Sequence, residues 1–180
     1  MLRQGLAPAW EARIGGWIAA LARLLAMGGG VMLAAIAVLT VISIVGRAFV
    51  FAGLGPIPGD FELVEAGCAV AVFSFLPWCQ INRGHVTVDL FISRLPGRAK
   101  AALSLIGNVA ISLTATIIAW RLWLGLGEKY DYGEETFILG MPVWYGYALG
   151  MIGAVVFVLT ALFTVWRSLN ETLRGREALP

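Results

Sequence analysis

The sequence predicts an all-α membrane protein with four transmembrane helices, both termini in the cytoplasm and an amphipathic N-terminal helix at the membrane interface. Composition predicts the class, because 59% of the residues are hydrophobic and 13% are charged, whereas soluble domains are about 45–50% apolar. Four segments are also long enough for a bilayer core of about 30 Å, which needs roughly 20 apolar residues in a helix. The net charge of +2 is small and the basic residues are dispersed, so no nucleic-acid surface is expected.

The four spans are predicted at residues 24–46, 61–81, 101–124 and 137–166, within a single membrane domain that covers residues 1–180. The last segment is longer than a span requires, so we expect a non-helical turn near its start, at residues 139–142. The first span is too long for the core of a signal peptide and is not followed by an evident cleavage site. We therefore expect it to be retained.

Residues 9–23 precede the first span and repeat apolar side chains every three or four residues, which is typical of a helix lying in the interfacial plane. Trp10 and Trp17 belong to this stripe, and tryptophan is enriched at headgroup depth. We expect both side chains to act as interfacial anchors.

The basic residues predict the orientation of the spans, since lysine and arginine concentrate in cytoplasmic loops. They lie mostly before the first span, between the second and third, and after the fourth. The two other loops are rich in acidic residues instead. We therefore expect both termini and the loop after the second span to be cytoplasmic.

The loop after the second span contains Gly84, His85 and Asp89, and His85 is the only histidine of the chain. Catalysis or metal binding would need further ligands or a nucleophile in a pocket, for which the loop gives little sign. We interpret the segment as a polar elbow between two membrane helices, with His85 and Asp89 at helical spacing. Cys68 and Cys79 lie about 16 Å apart along a helix, too far for a disulfide. No metal or cofactor is expected.

Polar side chains within the spans are costly unless they find a partner, so they mark helix contacts or function. The third span repeats them every four residues, which puts them on one helix face. The fourth span carries small residues at the same spacing, which allows close helix approach. We expect a packing seam between helices or subunits formed by Ser104, Asn108, Ser112, Thr116, Gly146 and Gly150.

Ionisable residues flank the turn between the first and second spans. Arg47 ends the first span, and Glu62 and Glu65 begin the second. An ion pair at the membrane boundary lowers the cost of each charge, so we expect Arg47 to clamp one of the carboxylates. The alternative is a proton or ion site at Glu65, which lies a turn deeper in its span.

Several short motifs occur in an order that resembles one family of transport proteins. They are an Arg closing the first span, EL opening the second, GHVTVD at residues 84–89, LP before the third span and LGMPVWY at residues 139–145. From about Arg47 to the end of the fourth span, the order resembles the small membrane subunit, DctQ, of tripartite ATP-independent periplasmic (TRAP) transporters. The chain departs from the common pattern in its longer Gly/Pro turn before Asp60 and in PWCQ at residues 77–80.

The resemblance implies a protein of the bacterial or archaeal inner membrane that works with a large TRAP membrane subunit and a periplasmic solute-binding protein. It implies a scaffold for the large subunit in sodium-driven uptake of an organic acid. It implies no enzyme activity, and neither catalytic nor substrate-binding residues in this chain. The acidic outer loop would then face the binding protein, with the candidate docking residues Tyr130, Asp131, Glu134 and Glu135.

Two other classes stay open from the residues alone: a self-sufficient small homodimeric membrane transporter, and an intramembrane enzyme. The transporter would need an essential membrane carboxylate, and only Glu65 comes near that requirement. The enzyme would need a nucleophile with a base, and Ser93 follows His85 and Asp89 in one loop. Co-purification with a much larger membrane protein would favour the TRAP interpretation over both.

Overall fold

The computed structural model describes residues 8–82 and 97–174, and most of these residues are helical. The chain forms four long helices: α1 (Pro8–Ala48), α2 (Asp60–Ile81), α3 (Gly97–Tyr132) and α4 (Trp144–Arg174). A short 3₁₀ helix, Val50–Ala52, follows α1. Each of the four long helices contains an apolar stretch long enough to cross a membrane, which confirms the predicted number of spans.

Helix α1 is one uninterrupted helix of 41 residues, where the sequence predicts an interfacial helix and a separate span. After Pro8, which suits the first turn of a helix, α1 contains no proline. Its glycines cost only about 1 kcal/mol each relative to alanine, so nothing in the backbone interrupts the helix after residue 23. Helix α1 therefore shows no break between the two predicted segments, and the interfacial position of residues 9–23 stays a prediction.

Helix α4 begins at Trp144, later than the span start predicted at residue 137. The residues before it form the non-helical turn expected near residues 139–142. Gly140 has a φ of 61°, a conformation that is costly for residues with a Cβ and natural for glycine. The turn shortens the fourth helix at its start, while the helix continues past residue 166 to Arg174.

The helices form a row in the order α1, α2, α4, α3. Helix α1 packs along α2, α2 along α4, and α4 along α3, with a smaller contact between α1 and α4. In its most apolar stretch α4 has 50% of its residues buried, against 11% in α1 and in α3. The edge helices α1 and α3 therefore leave most of their apolar side chains exposed within this chain.

Helices α2 and α4 approach each other closely at Gly153. A Cβ added there would lie 2.4 Å from the carbonyl oxygen of Phe73. That carbonyl lacks the usual helical donor, because Pro77 has no N–H. Only a glycine on α4 leaves room for this crossing, so the small residue is needed for helix contact.

Candidate functional site

The row of helices has two ends. At the hairpin end, α1 and α3 finish and α2 and α4 begin; at the elbow end, α2 finishes and α3 begins. The predicted orientation puts the elbow end at the cytoplasmic side and the hairpin end outside the cytoplasm. Clustered polar side chains occur at both ends, and they differ in chemistry.

A short hairpin connects α3 to α4. Its two arms are joined by hydrogen bonds from the Val143 N–H to the Glu134 carbonyl, 2.9 Å, and from the Thr136 N–H to the Met141 carbonyl, 2.8 Å. The Thr136 hydroxyl oxygen accepts a further bond from the Met141 N–H, 3.0 Å. The loop is therefore a defined structure rather than an irregular connection.

Glu62 holds this hairpin against the first turn of α2. Its carboxylate oxygens accept hydrogen bonds from the backbone N–H of Ile138, 2.7 Å, and of Leu139, 3.0 Å. The Leu139 side chain covers Gly59, where a Cβ would lie 2.4 Å from the Leu139 Cγ and where φ is +74°. One carboxylate thus satisfies two backbone donors that the turn leaves unpaired.

The predicted clamp between Arg47 and a carboxylate is not formed among the described residues. Arg47 lies exposed in the last turn of α1, and no bond joins it to Glu62 or Glu65. Glu62 instead binds the hairpin, because the backbone N–H groups of that turn reach its carboxylate. Glu62 thus has another partner in this structure, and a clamp by Arg47 stays a prediction.

A buried serine ties α1 to α2 instead. The Ser43 hydroxyl donates to the Asp60 carboxylate, 2.5 Å, and accepts from the Ile57 N–H, 3.2 Å. Asp60 also accepts from the Phe61 N–H, 2.9 Å, as acidic residues do at helix N-termini. Sequence reasoning missed this pair, although an aspartate opening a helix was a visible signal.

A groove of about 500 Å³ lies between α2 and α3 at the hairpin end. Its floor is α4 at Gly150, where an added Cβ would lie 3.3 Å from Phe73 and 3.9 Å from Leu122. The residues that line it include Glu65, Ala69, Phe73, Leu122, Tyr147 and Gly150. We call it the hairpin-end groove; it is mostly apolar and has carboxylates at one end.

The predicted docking residues Tyr130, Asp131, Glu134 and Glu135 are all exposed at the hairpin end. Glu134 pairs with Lys129 at 2.6 Å, a partner that sequence reasoning missed. The Tyr130 ring packs on Trp144 with ring centroids 5.5 Å apart. Phe137, at the tip of the hairpin, is fully exposed. The structure therefore brings these residues together on one surface.

At the elbow end, four neutral side chains from three helices form a hydrogen-bonded network. The Gln80 amide donates to Asn108, 3.1 Å, and to Thr164, 2.7 Å. The Asn108 amide in turn donates to Ser168, 2.7 Å. Gln80 and Ser168 are each 1% exposed. We call this group the amide network; it joins α2, α3 and α4 where the elbow begins.

The predicted seam on α3 contributes unequally to these contacts. Asn108 bonds to both neighbouring helices, and Ser112 is buried. Thr116 is exposed and bonds only back to the Ser112 carbonyl, 2.8 Å. Ser104 is half-buried. The predicted seam therefore includes Asn108, which joins the helices, but the helix contact does not extend to Thr116.

The two predicted glycines of the seam lie at the contact between α2 and α4. A Cβ at Gly146 would lie 3.7 Å from that of Ala66, and Gly150 forms the groove floor. Gln80, Thr164 and Ser168 were not predicted. A signal for two of them was present, since α4 carries hydroxyls at residues 160, 164, 168 and 172, the same four-residue repeat that marked α3.

Comparison with known families decides the identity of the chain. Residues 36–171 match the family of tripartite ATP-independent periplasmic transporters, DctQ component. The chain belongs to the DctQ family. No curated protein and no solved structure matches the chain.

Membership of the DctQ family confirms the resemblance that the motifs indicate. DctQ proteins are components of transporters rather than enzymes, and they work in a tripartite system with a large membrane subunit and a periplasmic binding protein. Together with the four span-length helices, the family indicates a multi-pass protein of the bacterial inner membrane.

For two sets of predicted residues, the elbow motif and the interfacial anchors, the structure of this DctQ chain does not test the predicted role. Gly84, His85 and Asp89 lie outside the described residues, and so does the side chain of Trp10. Trp17 lies on α1 with 80% of its surface exposed, which leaves it available to lipid or to a partner. Among the described residues, no three His, Cys, Asp or Glu side chains are grouped so as to hold a metal ion.

Proposed function

We propose that this DctQ chain is a fixed scaffold for the large membrane subunit of a TRAP transporter, in sodium-driven uptake of an organic acid. One observation carries the proposal: the polar side chains buried within the described residues are all neutral amides or hydroxyls. Sodium and carboxylate solutes require charged or strongly polar groups along a path. Helix packing requires only neutral groups that bond to one another across the helices, as Gln80, Asn108, Thr164 and Ser168 do, although the Gln80 Oε1 atom is buried without a partner.

The exposed faces of the row support the same function. Helices α1 and α3 are almost unburied over their apolar stretches. Side chains such as Val31, Val41, Leu113 and Trp120 are exposed along them. Such faces suit contact with lipid on one side and a membrane partner on the other. A large subunit whose substrate-carrying part moves needs a neighbour that stays anchored in the bilayer, and a row of helices with exposed apolar faces suits that role.

Co-purification and reconstituted uptake test the proposal. A tagged chain extracted in mild detergent should bring down a much larger membrane subunit encoded beside it. Proteoliposomes with both subunits and the binding protein should take up an organic acid when a sodium gradient is imposed, and proteoliposomes with the small chain alone should not. Uptake by the small chain alone would refute the scaffold function.

The orientation is a separate part of the proposal. We expect the hairpin to face the periplasm and the C-terminus of α4 to face the cytoplasm, as the distribution of basic residues predicts. With Cys68 and Cys79 replaced by alanine, the single-cysteine variant Phe137→Cys should react with an impermeant thiol reagent added to whole spheroplasts. Protection until the membrane is broken would reverse the orientation.

A further inference from the structure

The hairpin-end groove contains a carboxylate without a partner. Glu65 lies in α2, inside the apolar stretch that is long enough to cross a membrane. Among the described residues it accepts no hydrogen bond and forms no ion pair, and it is exposed toward the groove. Ionisable side chains in membrane spans are expensive and almost always pair with another group. The partner of Glu65 therefore comes from outside the described helices, either as water at the end of the span or as a group of another molecule.

The groove is covered at one of its ends by the hairpin, where the loop residues Thr136, Met141 and Val143 line it. From there it follows α2 from Glu62 to Phe73, about 16 Å or three helical turns.

The lining of the groove suits a helix rather than a lipid chain. Small residues on the two adjoining helices, Ala66 and Ala69 on α2 and Gly146 and Gly150 on α4, let another backbone come close. A hydrocarbon chain would leave the carboxylate of Glu65 against apolar matter, whereas a protein side chain supplies a donor at a defined height. The charge of Glu65 and the small lining residues therefore both favour a protein helix as the occupant of the groove.

We propose that the hairpin-end groove seats a membrane helix of the large subunit, which inserts side chains between α2 and α3 and pairs a hydrogen-bond donor, such as a lysine, arginine or hydroxyl, with Glu65. This inference rests on the proposed function and specifies the face by which the scaffold holds its partner. The hairpin forms one boundary of this site.

The experiment fills the groove and compares it with a matched position. Ala69 and Val72 are both exposed on α2, but only Ala69 lines the groove. Ala69→Trp should lower the large subunit recovered with the tagged chain by about tenfold or more, because overpacking costs enough to prevent insertion. Val72→Trp should recover it as the unmodified chain does.

Charge variants test the donor. Glu65→Lys should reduce recovery strongly, since it opposes a cation in the partner or removes the acceptor. Glu65→Gln retains an acceptor oxygen and should reduce recovery less. Assembly that is intact in Glu65→Gln, together with lost coupling of uptake to sodium, would overturn the proposal in favour of an ion site.

Photocross-linking gives an answer that does not depend on the stability of the variants. A photoreactive phenylalanine analogue at position 69 should form a product with the mass of both subunits, whereas the same analogue at position 72 should not. Cross-linking to lipid alone at position 69 would overturn the proposal. If the unmodified chain recovers no large subunit at all, the scaffold function fails. If the unmodified chain recovers the large subunit, but Ala69→Trp changes nothing and position 69 gives no protein product, only the groove proposal fails.

Discussion

The two ends of the row join neighbouring segments of the chain with different hydrogen-bonding groups. At the hairpin end, the carboxylates of Asp60 and Glu62 bind a hydroxyl and backbone N–H groups. At the elbow end, Gln80 binds neutral partners on two other helices. Charged acceptors make strong hydrogen bonds where water can still solvate them, but burying a charge costs several kcal/mol per ion. The chain uses charges where the side chains stay partly exposed and neutral groups where three helices bury them.

The comparison also separates two kinds of contact. The bonds of Glu62 order a loop against a helix that is already formed, so they act locally. The amide network joins three helices that are distant in sequence, so it acts on the whole assembly of helices. Loss of the first should loosen one loop, and loss of the second should lower the stability of the fold.

The largest effect is expected from Gln80→Ala. It leaves Asn108 and Thr164 without their buried partner, and an unsatisfied buried polar group costs about 1–3 kcal/mol. The free energy of unfolding in detergent should fall by this amount, whereas Val72→Ala on an exposed face of α2 should change it by about 0.5 kcal/mol or less. Equal stability of the two variants would contradict the structural role of the network.

A double substitution sharpens this test. Replacing both Gln80 and Asn108 by leucine removes a donor and its acceptor together, and paired apolar replacements are often nearly neutral. The double variant should therefore be more stable than the sum of the two single effects predicts, a coupling that a double-mutant cycle measures. Strict additivity would show that the two amides do not interact.

An intermediate effect is expected from Ser43→Ala. The substitution leaves one oxygen of Asp60 and the N–H of Ile57 without their bonds, and a typical hydrogen bond contributes about 1 kcal/mol. Thermal unfolding of the purified chain should report a loss of this size, with the exposed Val41→Ala on the same helix as the control. If Asp60→Asn adds fully to Ser43→Ala, the link between α1 and α2 lies elsewhere.

A local effect is expected from Glu62→Ala. The amides of Ile138 and Leu139 lose their acceptor, so hydrogen exchange at these two positions should become faster. The unfolding temperature of the chain should stay close to that of the unmodified protein. Glu65→Ala is the matched control, since Glu65 lies on the same helix and makes no bond to the hairpin. Slow exchange that persists in Glu62→Ala would show that the hairpin is held in another way.

The smallest effect on stability is expected from the double charge reversal Glu134→Lys and Glu135→Lys. This variant should change mainly the docking of the binding protein. Both residues are exposed on the hairpin, and the only pair lost among the described residues is that of Glu134 with Lys129, so the free energy of unfolding should fall by about 1 kcal/mol or less. Uptake that depends on the binding protein should require a higher concentration of that protein, because surface charges act mainly on the rate of association. Unchanged uptake at every concentration would exclude these residues from docking.

Much of the fold was readable from the sequence, because the relevant signals are local. The four apolar segments and the turn before Trp144 follow from residue type along the chain, as the positions of α2 and α4 confirm. The continuity of α1 was missed, because a change of pattern from amphipathic to apolar does not break a helix. The partner of Glu62 was missed as well, because it lies more than seventy residues away in the chain.

What the sequence by itself determined is the class of the protein, its number of spans and its family, because apolar length and motif order depend only on neighbouring residues. What the tertiary structure decided is which polar groups meet. Gln80 finds Asn108 and Thr164, Glu62 finds the hairpin, and Glu65 finds no partner among the described residues, because helices α2, α3 and α4 pack in one arrangement. The physical reason is that a membrane helix forms from its own backbone hydrogen bonds, whereas side-chain partners depend on the order in which the helices pack.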